Sequence, residues 1–303
     1  MARARLVLLH AAVLAAVSLV PACSDGNVSI FEAGGDAAPG TGGSDAAAGD
    51  GGAPGTFGEG GTLADTGAPS SGVLTATIRD FKLYAAGDPS TNPDFENVPP
   101  GDGWDDREIV ASALGADGKP VYKTTTPGGK TLTTHGKAAF DAWYRDVPGT
   151  NLSIAFPMPL LPNAGGSFSY DSNVNGVPLS AADPQNRMFF PIDDGGPHAT
   201  AFGNQGDPHN YSFTLELHTA FTYKGGEVFS FRGDDDVFVY IDDALVINVG
   251  GIHVPEQAEV QIDTLNLVKG TEHRLDFFSA ERHKTYSNIL FTTTLGLRPA
   301  PPR

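Results

Sequence analysis

Phe213, Leu215 and Leu217 alternate with Thr214, Glu216 and His218. That period of two sends one face of an extended strand into a core and leaves the other for polar contacts. Residues 73–79 alternate in the same way, and further strands are expected over 227–232, 237–241, 244–249, 258–262, 274–280 and 289–295. Asp242-Asp243 separates two of these runs, and Asp tolerates the left-handed backbone that a two-residue hairpin turn needs. Closely spaced strands with turn residues between them predict an all-β sandwich or barrel. Two short helices are expected in the N-terminal half. One is capped by Asp105-Asp106, runs through Ile109, Val110 and Leu114 and stops at Gly115. The other covers 137–146 and places Phe140, Trp143, Tyr144 and Val147 on one face, a face that reads as core rather than as a ligand platform. Residues 157–210 are rich in Pro, Gly, Asn and Asp. So long a stretch is either functional or hides short strands, and Phe168-Ser169-Tyr170 and Met188-Phe189-Phe190 are the candidates for them.

The ends of the chain follow different rules. Arg3 and Arg5 precede an apolar run over 6–20 that is short for a permanent span. Leu19-Val20-Pro21-Ala22-Cys23 has small residues before a cysteine, as a bacterial lipobox does. This resemblance implies a signal peptide over 1–22, lipidation at Cys23 and, with Ser24 following, an outer-membrane lipoprotein facing the exterior. Cys23 is the single cysteine, so the chain has neither an internal disulfide nor a cysteine zinc site. Residues 24–71 are mainly Gly, Ala, Asp, Ser, Thr and Pro and contain no Lys or Arg. Such a composition buries too little apolar surface to offset ordering entropy, so 23–72 reads as a disordered linker. The folded region is 73–297, and the tail 298–303 is expected to fray.

The formal charge of −17 repels phosphates and disfavours nucleic acid, while remaining compatible with cations and neutral glycans. Asp234, Asp235 and Asp236 stand together between two strands. Their mutual repulsion calls for neutralisation, and a hard cation with oxygen ligands does this. Successive strand residues face opposite ways, so all three converge on one ion only if the chain bends, and Gly233 is placed to bend it. The alternative is that the acids cap turns or pair with Arg232, Arg282 or Lys284. A second polar cluster, His253, Glu281, Arg282 and His283, is a candidate for ligand binding or for a salt-bridged lock on the last strands; the bidentate pairing habit of Arg favours the lock. Asp193-Asp194 reads as a turn. No Gly-x-Ser-x-Gly elbow is present, and nothing selects one pair among many carboxylates for glycoside hydrolysis, so a binding protein is expected rather than an enzyme.

Several motifs occur in a fixed order. They are Arg79-Asp80-Phe81, Asn92-Pro93-Asp94-Phe95-Glu96, Phe140-Asp141-Ala142-Trp143-Tyr144 and Phe189-Phe190-Pro191-Ile192-Asp193. There follow Asn210-Tyr211-Ser212-Phe213-Thr214, Phe231-Arg232-Gly233-Asp234-Asp235-Asp236-Val237, Gly250-Gly251-Ile252-His253 and Ala280-Glu281-Arg282-His283. In this set 73–297 resembles the fibro-slime domain, a branch of the PA14-like β-domains. Phe238 stands where the family commonly has Trp, Asp242-Asp243 replaces its Asn-Gly turn, and Asn248 replaces an acid. The resemblance implies a PA14-type β-sandwich in an extracellular setting of adhesion or carbohydrate association. It also implies calcium held by an adjacent aspartate pair and a later Asn, here Asp234, Asp235 and Asn288. With Asp236 these form the candidate Ca²⁺ set. The expected function is calcium-assisted glycan binding or adhesion by a lipid-anchored protein. The alternatives are a structural module of the extracellular matrix and, less favoured, a polysaccharide-processing enzyme.

Overall fold

Two antiparallel sheets face each other in the computed structural model, which describes residues 72–97, 103–123 and 129–303. The larger sheet runs in the order Ala244–Val249, Asp236–Ile241, Glu272–Glu281, Phe213–Thr222, Val73–Phe81, Asn151–Pro159. The smaller runs Glu256–Gln261, Val228–Gly233, Ile289–Thr293, Phe168–Asp171, Leu161–Pro162. The expected signal peptide over 1–22, the expected lipidation at Cys23 and residues 23–71 of the expected linker lie outside the described residues. Among the described residues no helix is long and apolar enough to cross a membrane.

The large sheet is covered on both faces. In Asp236–Ile241 every residue is buried. Val237, Val239 and Ile241 join Leu215, Leu217, Phe277 and Phe291 in the core between the sheets. Phe238 and Tyr240 point the other way, into a second cluster with Phe81, Phe95, Phe140, Trp143, Tyr144 and Phe278. Strict alternation therefore feeds two cores from one strand. The second core is aromatic, with Phe81 stacked on Phe95 at 4.2 Å and Tyr144 edge-on to Phe278 at 5.0 Å.

Several expectations need correction. The segment after Asp105-Asp106 is not helical. Trp104–Asp105 pairs with Gly251–Ile252, and the Asp106 carboxylate accepts from the Thr133 backbone and hydroxyl at 2.8 and 3.0 Å. Ile109 and Val110 enter the aromatic core, Val110 through a bridge to Tyr122. The 137–146 helix is shorter, Lys137–Asp141, and the other short α-helix is Ser172–Asn175. Of the hidden strands, Phe168–Asp171 forms as expected, whereas the second occupies Asp183–Met188 and ends before Phe189. The sheets do not close into a barrel. The tail does not fray: Arg298–Pro299 pairs with the Phe213–Thr222 strand, and Arg303 reaches Asp276 and Asp243 at 2.6 and 2.7 Å. The Asp242-Asp243 turn is as expected, both residues having positive φ.

Candidate functional site

Three connections cross from one sheet to the other beside the aspartate run. Asp234-Asp235 leads from Val228–Gly233 in the small sheet to Asp236–Ile241 in the large one. Residues 282–288 return from Glu272–Glu281 to Ile289–Thr293, and 250–255 link Ala244–Val249 to Glu256–Gln261. Register holds them together, since Gly233 is opposite both Glu256 and Ile289, and Asp236 is opposite Ala280. Residues distant in sequence thus meet in one cleft of about 20 Å³, lined by Asp234, Asp235, His253, Val254, His283, Lys284, Thr285 and Tyr286.

The peptide joining Asp234 and Asp235 is cis, and both side chains are buried. Asp234 accepts from the Asn288 backbone N–H and, at 3.0 Å, from its Nδ2. Since that amide donates through nitrogen, its Oδ1 remains available as an acceptor or ligand. Asp235 accepts from the Arg282 backbone N–H at 3.1 Å. Burial lifts the Asp234 carboxyl above the usual range, against the Asn288 hydrogen bonds. Burial and the neighbouring Asp236 lift Asp235 much further. Both shifts express one fact: this pocket penalises negative charge.

Asp236 has a different role from its two neighbours. Its Oδ2 accepts from Arg282 Nε at 2.6 Å and its Oδ1 from the Gly251 backbone at 2.7 Å. With both carboxylate oxygens of Asp236 engaged in this way, Asp234 and Asp235 are the members of the run left facing the cleft. Arg282 is the hub of this region. It is fully buried, lies 4.6 Å from the Trp143 ring centroid, and donates to the carbonyls of Asp94 and Thr133 at 3.2 and 2.8 Å. The ligand role considered for Arg282 is thereby corrected to a structural one.

Glu281 lies behind the pair. It is enclosed near the Ser287 hydroxyl, yet neither carboxylate oxygen makes a well-formed hydrogen bond. Burial and the charges of Asp235 and Asp234 raise its pKa well above the usual range. His253 lines the cleft; its Nδ1 contacts the Val254 carbonyl at 3.0 Å, and its buried Nε2 has no hydrogen-bond partner. His283 is half-buried in the same wall, within the field of Glu96. Asp193 and Asp194 make loop hydrogen bonds with His209, Asn210 and Asn204, as a turn requires.

The sequence reading passed over Asp94, Thr133 and Tyr286. Asp94 accepts from the His135 backbone at 2.6 Å and Trp143 Nε1 at 3.0 Å, fixing the ring beneath Arg282. Its place in the ordered motif Asn92-Pro93-Asp94-Phe95-Glu96 was its signal. Tyr286, 48 % exposed at the mouth of the cleft, carries no periodic signal at all.

Comparison with known proteins fits this geometry. Residues 199–299, which hold the aspartate pair, Asn288 and the strands around them, match the family described as PA14 domain. Over this third of the chain the sequence is similar to a PA14 domain. The chain is similar to protein psiR of Dictyostelium discoideum, 38 % identical over 218 residues, covering 69 % of this chain and 20 % of psiR. It is similar also to protein psiD of the same organism, 36 % identical over 237 residues, covering 76 % of this chain and 42 % of psiD. The matched stretch is thus less than half the length of these relatives. Among solved structures, the Epithelial Adhesin 9 A domain from Candida glabrata, in complex with Galb1-4GlcNAc, aligns with 76 % of this chain and 90 % of its own at TM-score 0.29 and 11 % identity.

Proposed function

We propose that this PA14 domain binds a neutral glycan through a calcium ion held by Asp234, Asp235 and Asn288. We further propose that a lipid on Cys23 displays it at the cell surface for adhesion. The observation that carries this reading is the enclosure of two adjacent carboxylates beside an Asn whose amide oxygen stays available. An all-oxygen donor set suits Ca²⁺, which takes six to eight such ligands. Among the described residues no three Asp, Glu, His or Cys side chains converge closely enough to hold an ion by themselves. Carbonyl oxygens, water and the glycan's own hydroxyls would complete the coordination, and Ca²⁺ supplies the open positions for those hydroxyls. The formal charge of −17 favours the cation and a neutral partner over an anionic one.

The test is a glycan array with and without chelator, using wild type and Asp235→Ala. Binding lost in both the chelated and the mutant samples supports calcium-dependent recognition; equal binding in all samples rejects it. The buried Arg282–Asp236 pair favours a second reading, a structural or protein-interaction module of the extracellular matrix. That reading predicts that chelator lowers the melting temperature while no glycan binds.

A further inference from the structure

The cleft over Asp234 and Asp235 encloses about 20 Å³, room for an ion or a water and far too little for a sugar ring. A bound ring must therefore rest on the rim, and the rim is unusual. Among the described residues seven large apolar side chains are exposed, and Tyr286 is the only aromatic one. It lines this cleft together with Val254, which is 61 % exposed. Tyr286 is carried on a connection fixed at both sides: Lys284 pairs with Asp207 at 2.7 Å, and the Ser287 carbonyl accepts from the Phe189 backbone at 2.7 Å. In the cleft wall His253 supplies a second sign of a ligand. A carbonyl only accepts, so the contact to the Val254 oxygen places the proton on Nδ1. His253 Nε2 is buried and without a hydrogen-bond partner.

We propose that Tyr286 is a specificity-determining residue for the glycan. Its ring stacks on the apolar C–H face of a neutral pyranose, Val254 forms the opposite wall, and His253 Nε2 accepts from a hydroxyl that enters the cleft. The ligand class is a neutral pyranoside that offers an apolar face and a hydroxyl edge together. This inference rests on the calcium-glycan reading and assigns the groups that choose among glycans.

The experiment uses the full chain at saturating Ca²⁺ on immobilised glucose, galactose, mannose, N-acetylglucosamine and lactose, with Ca²⁺ uptake followed by calorimetry. Tyr286→Ala is expected to weaken the sugar that wild type binds best by about tenfold and so to narrow its preference over the weakest of the five, while Tyr286→Phe stays within about twofold on each, since the ring does the stacking. Ca²⁺ affinity is expected to be unchanged in both variants. Wild-type sugar binding by Tyr286→Ala overturns the role of Tyr286 and leaves the glycan reading standing. Loss of Ca²⁺ uptake in Tyr286→Ala overturns it as well, by making the residue structural. No binding of any sugar by wild type overturns the glycan reading and this inference with it.

Discussion

Arg282 donates from Nε to Asp236 at 2.6 Å, and both side chains are wholly closed to solvent. The pair joins the strand that follows the aspartate run to the connection that carries Asn288. Around it, Trp143 covers the guanidinium and Thr133 accepts from Nη2 at 3.1 Å. A buried pair is destabilising when one partner is removed, because the other charge is left uncompensated. Arg282→Met is expected to lower stability by about 3–5 kcal/mol, read from urea melts. Arg282→Lys is expected to lose nearly as much, since an ammonium cannot serve Asp236, Thr133 and the Asp94 carbonyl from one planar fork. The double variant Arg282→Met with Asp236→Leu should recover part of the loss; no recovery would show that the hydrogen bonds, and not the charge, hold this region.

The strands flanking this pair were legible in the sequence because each obeys a local rule. Alternation marked Phe213–Thr222, a short apolar run marked 237–241, and Asp242-Asp243 marked the turn between two of the strands. The predicted helix after Asp105-Asp106 failed because Ile109 and Val110 have helix-compatible spacing but are drawn into a tertiary aromatic core, and packing overrides local propensity. The aspartate run stood out in the sequence, but its division between the cleft and Arg282 did not. Whether Asp236 joins Asp235 or Arg282 depends on which connection crosses beside it, a property of topology that spacing does not encode. The docked tail was missed for the same reason, since Asp276, the partner of Arg303, lies on a strand nothing in 298–303 points to.

Calcium should stabilise the protein, and Asp235 should be the residue through which it does so. A ligand at a hundred times its Kd adds about 2.7 kcal/mol to a folded state that alone binds it. Differential scanning calorimetry is expected to show a calcium-dependent rise in melting temperature for wild type and none for Asp235→Asn. Without calcium the Asn variant should melt at or above wild type at neutral pH. The raised carboxyl means that ionising Asp235 costs the fold, and the neutral amide removes that cost. A calcium-free Asn variant that melts well below wild type would show that the carboxylate is needed for packing.

A second titrating device lies on the outer face of the large sheet. His218 Nδ1 contacts Asp276 at 2.6 Å and Nε2 contacts Glu216, so both ring nitrogens face carboxylates. Two such contacts require both nitrogens to donate, which only the charged ring does. Burial opposes that charge, but Asp276 and Glu216 outweigh it and raise the His218 pKa above the ordinary value. Burial also works against the Glu216 charge, yet hydrogen bonding to His218, with Arg79 and Lys119, holds that carboxyl down to about 2. A raised histidine contributes stability that is full below its unfolded pKa of about 6.5 and is lost as pH climbs through the folded value. Melting temperature should therefore fall as pH rises above neutrality, and His218→Gln should flatten that fall. A pH profile unchanged in the variant would remove His218 as its source.

Gly233 sets the distance between the aspartate pair and Asn288. A Cβ there would lie 2.2 Å from the Asn288 carbonyl oxygen and 2.6 Å from the Phe231 ring. The backbone oxygen cannot retreat without breaking its hydrogen bond from Asp234 N–H at 3.3 Å and the pairing of Gly233 with Ile289. Gly233→Ala is thus expected to destabilise by about 1–3 kcal/mol, the usual cost of forcing a methyl into filled space. It should also move Asn288 away from Asp234, weakening Ca²⁺ uptake measured by calorimetry at temperatures where the variant is still folded. Arg232, next in the chain and exposed, is the control: Arg232→Ala should change stability by less than about 0.5 kcal/mol and leave the calcium heat intact. If Gly233→Ala binds calcium like the control, the ion is not held between the two crossovers, and Asn288 is not among its ligands.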